Sequence, residues 1–344
     1  MLLGWSIAIF MDYKYKVVIT DVYDNVSEIE NRILGSVGAS VVAGHCKDTT
    51  DIIDKAHDAD ALLVGDLPIT KEVFDKLTKL KVVARYGVGF DNVDVRSATA
   101  AGVQVAITPE VMTTNVAEHT LALMLTIVRK IPMADNLVKE GKWSDPSKWA
   151  GPIPTIHGKT VGIIGLGRIG RAVVDLLRCF GVEIIGYDPY LSPETTHKLG
   201  FRIVPQIEPL LTESDFVTMH LPLTDQTRHM IGERELGLLK KTAFVVNCAR
   251  GAIVDPKALY TALFQGRIAG AAMDVFENEP IDPTDPLLTL KNFIATPHMA
   301  FYSDDVHEKF RTEAAKEVAR VLSGLRPTNL VNPEVLTQRT RCQL

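Results

Sequence analysis

The sequence predicts an α/β protein of two domains, each built on a parallel sheet. Three observations predict it. The chain has 344 residues, more than one domain usually holds. Short β-branched runs alternate with helix-spaced segments almost throughout, the pattern of βαβ units. The alternation breaks once, across residues 114–158, and begins again at Thr160.

In the first series, residues 17–20, 61–64, 81–85 and 103–107 read as strands. Ile29, Ile33 and Leu34, then Val73, Phe74 and Leu77, have helical spacing between them. Past Thr114 the chain turns apolar nearly all round, and Asn115 with Glu118 three positions on resembles a capping box. A helix is therefore expected over residues 115–130, buried as a spine between domains and against a partner subunit. Residues 141–158 hold three prolines, three glycines and two tryptophans and read as a loop. In the second series, residues 161–164, 182–187, 201–204, 216–219, 243–247, 268–273 and 293–295 read as strands. A last helix carries Val306, Phe310, Ala314, Val318 and Val321 on one face and stops at Gly324.

Composition narrows the function classes. Hydrophobic residues make up 46% and charged residues 23% of the chain, enough apolar surface to fold. A net charge of −5 gives no reason to expect nucleic acid or an anionic membrane as partner. Cys46, Cys179, Cys248 and Cys342 lie far apart with no C-x-x-C pair, so neither a metal site nor a disulfide framework is expected. Reduced thiols in a cytoplasmic protein fit that usage. The apolar run at residues 2–11 is too short to span a bilayer and lacks a basic segment before it. Translation is expected to begin naturally at Met11, just before the first strand.

The sequence GLGRIG at residues 165–170 fits G-x-G-x-x-G, between a buried strand and a helix. Gly165 permits the tight turn, Gly167 admits a diphosphate, and Gly170 allows close helix–strand packing. Free N–H groups at the helix start would face the anion. Asp188 ends the next strand, 18 positions after Gly170. A carboxylate there accepts ribose hydroxyls and repels a 2′-phosphate, which favours NAD over NADP. Three more polar residues fall at C-terminal strand ends: Arg250, Glu279 and His298. A guanidinium can grip a carboxylate and polarise the neighbouring ketone. Histidine can protonate the carbonyl oxygen, with a carboxylate orienting it. The other eight histidines, His119 and His220 among them, read as solvated or structural.

The stretches RYGVGFDNVD, GKTVGIIGLGRIGRAV, HLPLTDQT, FVVNCARGAIVD, GAAMDVFENEP and TPHMA resemble the D-isomer-specific 2-hydroxyacid dehydrogenase family. GYDPYLS and TPHMAFYS are most similar to its subgroup of C-terminal-binding-protein corepressors and related microbial dehydrogenases. The resemblance implies a Rossmann NAD-binding domain, residues 111–302, inserted into a discontinuous substrate-binding domain, residues 1–110 and 303–344. It implies Arg250 as substrate-binding arginine, His298 as acid/base and Glu279 as its partner. Gly165, Gly167, Arg168, Ile169, Gly170, Asp188, Leu221, Pro222, Thr227, Cys248 and Ala249 would line the cofactor, with Asp274 near the nicotinamide amide. The backbone of Gly87, Val88 and Gly89 would hold the substrate carboxylate. Domain crossings at residues 108–115 and 297–304 would be hinges, and a homodimer is implied.

The chain departs from the family after the catalytic histidine, where Met299, Ala300, Phe301 and Tyr302 replace a glycine-containing segment. Larger apolar side chains there disfavour a small hydrophilic substrate such as glyoxylate. Arg85 either neutralises a second anionic group, as in phosphoglycerate, or is an exposed charge. The short stretch after the last helix leads one to expect no regulatory extension. The resulting expectation is an NAD-dependent oxidoreductase for a D-2-hydroxy acid/2-keto acid pair. The competing expectation is an NADH-sensing dimeric scaffold of the corepressor type with little turnover.

Overall fold

The computed structural model describes residues 13–21 and 25–339. The proposed start at Met11 and Cys342 lie outside them. The chain divides into two compact units, residues 1–111 with 304–344, and residues 112–303.

The first unit holds β1 (Tyr15–Ile19), β2 (Ala39–Ala43), β3 (Ala61–Val64), β4 (Val82–Arg85) and β5 (Gln104–Ala106). They pair in parallel in the order β2-β1-β3-β4-β5, the flavodoxin-like order. β2 has no counterpart among the strands read from the sequence. It is a half-buried edge strand, so it lacks the apolar run that marks its buried neighbours. Val18, Leu62, Val64, Val83 and Val105 pack into one core cluster. The helix Val306–Leu322 packs on β3 and β4 and against the helix Glu28–Gly35. It buries Val306, Phe310, Ala314, Val318 and Val321, the face expected from the sequence. Gly324 follows with a positive φ of 82°.

A fully buried Glu30 locks that helix pair. Its carboxylate takes Arg311 Nη1 at 2.7 and 3.0 Å and the Tyr86 hydroxyl at 3.2 Å. It also receives the Ser27 amide at 2.7 Å, completing a capping box. Burying two charges is repaid only when such partners satisfy them.

The second unit holds β6 (Thr160–Ile164), β7 (Glu183–Tyr187), β8 (Arg202–Ile203), β9 (Phe216–Met219), β10 (Phe244–Asn247), β11 (Gly270–Met273) and β12 (Phe293–Ala295). All pair in parallel, in the order β12-β11-β10-β9-β6-β7-β8. Alternating side chains enter two separate cores, Ile164, Val217 and Val245 on one face and Ile163, Phe216 and Val246 on the other. Strands buried on both sides explain the continuous apolar runs. The strand order reverses between β6 and β9, opening a crevice at their C-terminal ends.

The apolar helix spans Thr113–Arg129 and belongs wholly to this unit. Its buried face packs on β10 and β11 and on the helix Arg168–Arg178. Asn115 is not its cap. The helix begins two residues earlier, and the Asn115 amide instead donates to the Phe301 carbonyl and Ser303 hydroxyl, both at 2.8 Å. The segment that reads as a loop carries a short 3₁₀ turn at Pro146–Lys148. Lys130 adopts a left-handed conformation and breaks the helix before a second one, Ile131–Lys139.

Arg311→Ala leaves Glu30 buried without its cation. It should cost about 3 kcal/mol, read as a lower urea midpoint by circular dichroism. A midpoint equal to that of the unsubstituted protein would show that the pair adds nothing.

Candidate functional site

The glycine turn sits at the β6/β9 crevice. A side-chain carbon on Gly165 would run into the His220 carbonyl oxygen, and one on Gly170 into the Gly165 carbonyl oxygen. Gly165 also has a positive φ of 89°. Both glycines are therefore required by close approach of backbone. A side-chain carbon on Gly167 would meet nothing within 4 Å, so the start of the helix Arg168–Arg178 faces open space. Gly167 and Arg168 are exposed and Ile169 half-buried. An open cradle of backbone N–H groups fits the diphosphate of a dinucleotide. Asp188 flanks it, one carboxylate oxygen accepting the Leu166 amide and the other the Tyr190 amide, each at 2.9 Å. That fixes the carboxylate at the end of β7 and leaves lone pairs for hydroxyl donors.

The loop after β9 is closed on itself. The Thr227 hydroxyl donates to the Pro222 carbonyl at 2.7 Å and accepts the Thr224 amide at 2.8 Å. Leu221 packs at the edge of the core. His220, beneath the glycine turn, bonds Thr218 through Nε2, and burial pushes it down to about 3, so it is neutral. After β10, Asn247 donates to the Arg250 carbonyl and accepts the Ala249 amide, both at 2.9 Å. This small side chain shapes the turn that carries Arg250. Cys248 is buried, which pushes its thiol up to about 12 and leaves it unreactive.

Arg250, Glu279 and His298 leave adjacent strands. Asn247, Met273 and Ala295 lie level in the register of β10, β11 and β12. Gly251 lets the arginine turn press against the backbone of Phe276, where any side chain would collide. Glu279 Oε1 then accepts the Phe276 amide at 2.7 Å, and Oε2 meets His298 Nδ1 at 2.6 Å. Burial opposes ionisation of Glu279. The hydrogen bonds from His298 and Phe276, with the nearby charges of His298 and Arg250, nevertheless hold it below the usual glutamate value. An ionised carboxylate only accepts, so Nδ1 donates, and Nε2 is the nitrogen left for a substrate proton. His298 itself has a positive φ of 50°, a conformation that a surrounding framework must hold.

Asp274 is fully buried, and its carboxylate is spent on the loop that follows β12. It accepts the Thr296 hydroxyl at 2.5 Å, the Met299 amide at 2.9 Å and the Ala300 amide at 2.8 Å. It thus anchors that loop from within. His119, which reads from the sequence as solvated or structural, and Thr296 join this cluster. Their one signal was a histidine on an otherwise apolar helix.

In the first unit, Gly87 accepts the Thr108 amide at 2.9 Å and is buried, while Val88 and Gly89 are half-buried. Arg85 is not an exposed charge. Its guanidinium reaches Asp66 at 2.8 Å, Asn92 at 3.0 Å and the Tyr86 carbonyl at 3.3 Å. Among the described residues, no group of His, Cys, Asp or Glu is placed to hold a metal ion. No helix among them is long and apolar enough to cross a membrane.

Because the folded Glu279 is more acidic than an ordinary glutamate, its ionised form stabilises the fold above the ordinary value. That contribution is lost as pH falls through the depressed one. The stability that the wild type holds over Glu279→Gln, read as a difference in thermal midpoint, should shrink as pH falls below the ordinary glutamate value. A pH-independent difference would contradict the ionised pair.

The family model of the D-isomer specific 2-hydroxyacid dehydrogenase NAD binding domain matches residues 121–300. D-3-phosphoglycerate dehydrogenase of Methanocaldococcus jannaschii is 43% identical over 320 residues, 92% of this chain and 59% of that protein. Glyoxylate reductase of Korarchaeum cryptofilum is 45% identical over 293 residues, 84% of this chain and 87% of that enzyme. The crystal structure of the glyoxylate/hydroxypyruvate reductase of Sinorhizobium meliloti, in complex with NADP and malonate, superposes with a TM-score of 0.82 at 29% identity, covering 93% of this chain and 97% of that one. The chain belongs to the D-isomer-specific 2-hydroxyacid dehydrogenase family, and so to the NAD(P)-dependent oxidoreductases that interconvert 2-hydroxy and 2-keto acids.

Proposed function

We propose that this chain is an NAD-dependent reductase of a D-series 2-keto acid, with His298 as proton donor. The observation that carries the reading is the 2.6 Å contact between His298 Nδ1 and an ionised Glu279. It orients the imidazole and leaves Nε2 to protonate the carbonyl oxygen. A bound dihydronicotinamide supplies the hydride to the keto carbon. Arg250 and the backbone of Gly87, Val88 and Gly89 hold the substrate carboxylate. Gly165, Gly167, Arg168, Ile169 and Gly170 receive the diphosphate, and Asp188 the adenosine ribose. Leu221, Pro222, Thr227, Cys248 and Ala249 line the remainder of the cofactor path. Residues 111–302 form the cofactor domain, and the two flanking segments form the substrate domain.

Arg85 is committed to Asp66 and Asn92. That argues for an unphosphorylated 2-keto acid over a phosphorylated one, because the cation expected at a second anion is already paired. The GYDPY and MAFYS segments support the corepressor-like dehydrogenase subgroup. A cytoplasmic homodimer suits the helix Ile131–Lys139, which buries none of its residues and leaves Ile131 and Val138 exposed beside Trp143, 86% exposed.

A screen following NADH absorbance across glyoxylate, hydroxypyruvate, phosphohydroxypyruvate and branched 2-keto acids tests the substrate. His298→Ala should lower kcat by about 10²-fold or more on the best of them, with NADH affinity within about twofold. Unchanged turnover would remove His298 from the chemistry. Asp188→Ser should raise use of NADPH relative to NADH by about tenfold, equal to ~1.4 kcal/mol of relieved repulsion. An unaltered preference would remove Asp188 from cofactor selection.

A further inference from the structure

We propose that His119 is a positioning residue for the reaction: through Thr296 and Asp274 it fixes the turn that presents His298. This rests on the role of His298 proposed above. His119 lies on the helix Thr113–Arg129, distant in sequence from the turn. Its Nε2 is 3.1 Å from the Thr296 hydroxyl and 3.4 Å from Asp274 Oδ1.

The direction of the hydrogen bonds follows from counting protons. The Thr296 hydroxyl has one, and a 2.5 Å contact gives it to the Asp274 carboxylate. The hydroxyl oxygen must therefore accept from His119 Nε2, which carries a hydrogen. The result is a chain from His119 through Thr296 to Asp274, in which each bond polarises the next. Asp274 passes the constraint on. Its carboxylate holds the amides of Met299 and Ala300, and its carbonyl accepts the His298 amide at 2.7 Å. Residues 296, 298, 299 and 300 are thus all tied to one aspartate, and the residue among them with a left-handed backbone is His298. Burial alone would push Asp274 up, and the donors from His119, Thr296, Ala300 and Met299 keep it below the ordinary aspartate value. Without the histidine donor, the turn loses the outermost member of the network that opposes its strain.

The test uses the full chain. His119→Leu should lower kcat by about tenfold, the order expected of a sub-ångström misplacement, with NADH affinity unchanged. His119→Gln, whose amide nitrogen reaches the place of Nε2, should recover kcat to within about threefold of wild type. Thr296→Val should cost less in the His119→Leu background than in the wild type, because the two losses are not additive. Hydrogen exchange supplies a readout independent of turnover: the Met299 and Ala300 amides should exchange faster in His119→Leu and at the wild-type rate in His119→Gln. Wild-type kcat in His119→Leu, a Gln variant as impaired as the Leu variant, or unaltered exchange at Met299 and Ala300 would each overturn the proposal. A wild-type protein inert toward every 2-keto acid would instead overturn the reading of His298, and the exchange result would still decide whether His119 holds the turn.

Discussion

Three parallel strands ending level with one another are what the site depends on. β10, β11 and β12 are paired so that Asn247, Met273 and Ala295 stand side by side. Parallel pairing obliges each connection to leave from the same edge. The arginine turn, the glutamate segment and the histidine turn therefore emerge as neighbours, although 48 positions separate the first from the last in sequence. A slip of one residue in this register would reverse every side chain, and the imidazole would lose its carboxylate.

Around that edge, backbone does as much as side chains. Gly165, Gly170 and Gly251 each stand where another backbone comes too close for a side chain. The first two shape the cradle at the β6/β9 crevice. The third presses the arginine turn onto Phe276, whose amide holds Glu279. Asn247 and Asp274 complete the scaffold by satisfying amide groups that the turns leave unpaired.

Much of this was legible in the sequence, and the reason is burial. Strands covered on both faces must be apolar throughout, so β6, β9, β10 and β11 announce themselves. β2 does not, because a half-buried edge carries no such requirement. The glycine turn was legible because close backbone contact admits one residue type. The Arg250, Glu279 and His298 trio could be listed from strand ends, but that their segments emerge side by side depends on a register that spacing does not encode. Asn115 misled because a helix start was inferred from a local pattern, whereas its amide serves residues 301 and 303. His119 and Arg85 were opaque for a related reason. The partners of each lie far off in sequence or in a separate turn, and a polar residue gives no sign of which distant group it will satisfy.

The first unit is assembled from the two ends of the chain, with Glu30 and Arg311 joined across it. During synthesis, its early strands leave the ribosome long before the helix that covers β3 and β4 has been made. Residues 112–303 are complete while the opening segment still waits for its lid, so the middle of the polypeptide can mature first. A nascent protein of this design carries an uncovered apolar sheet until the helix Val306–Leu322 has been made. Its exposure to chaperones and to aggregation is concentrated in that interval.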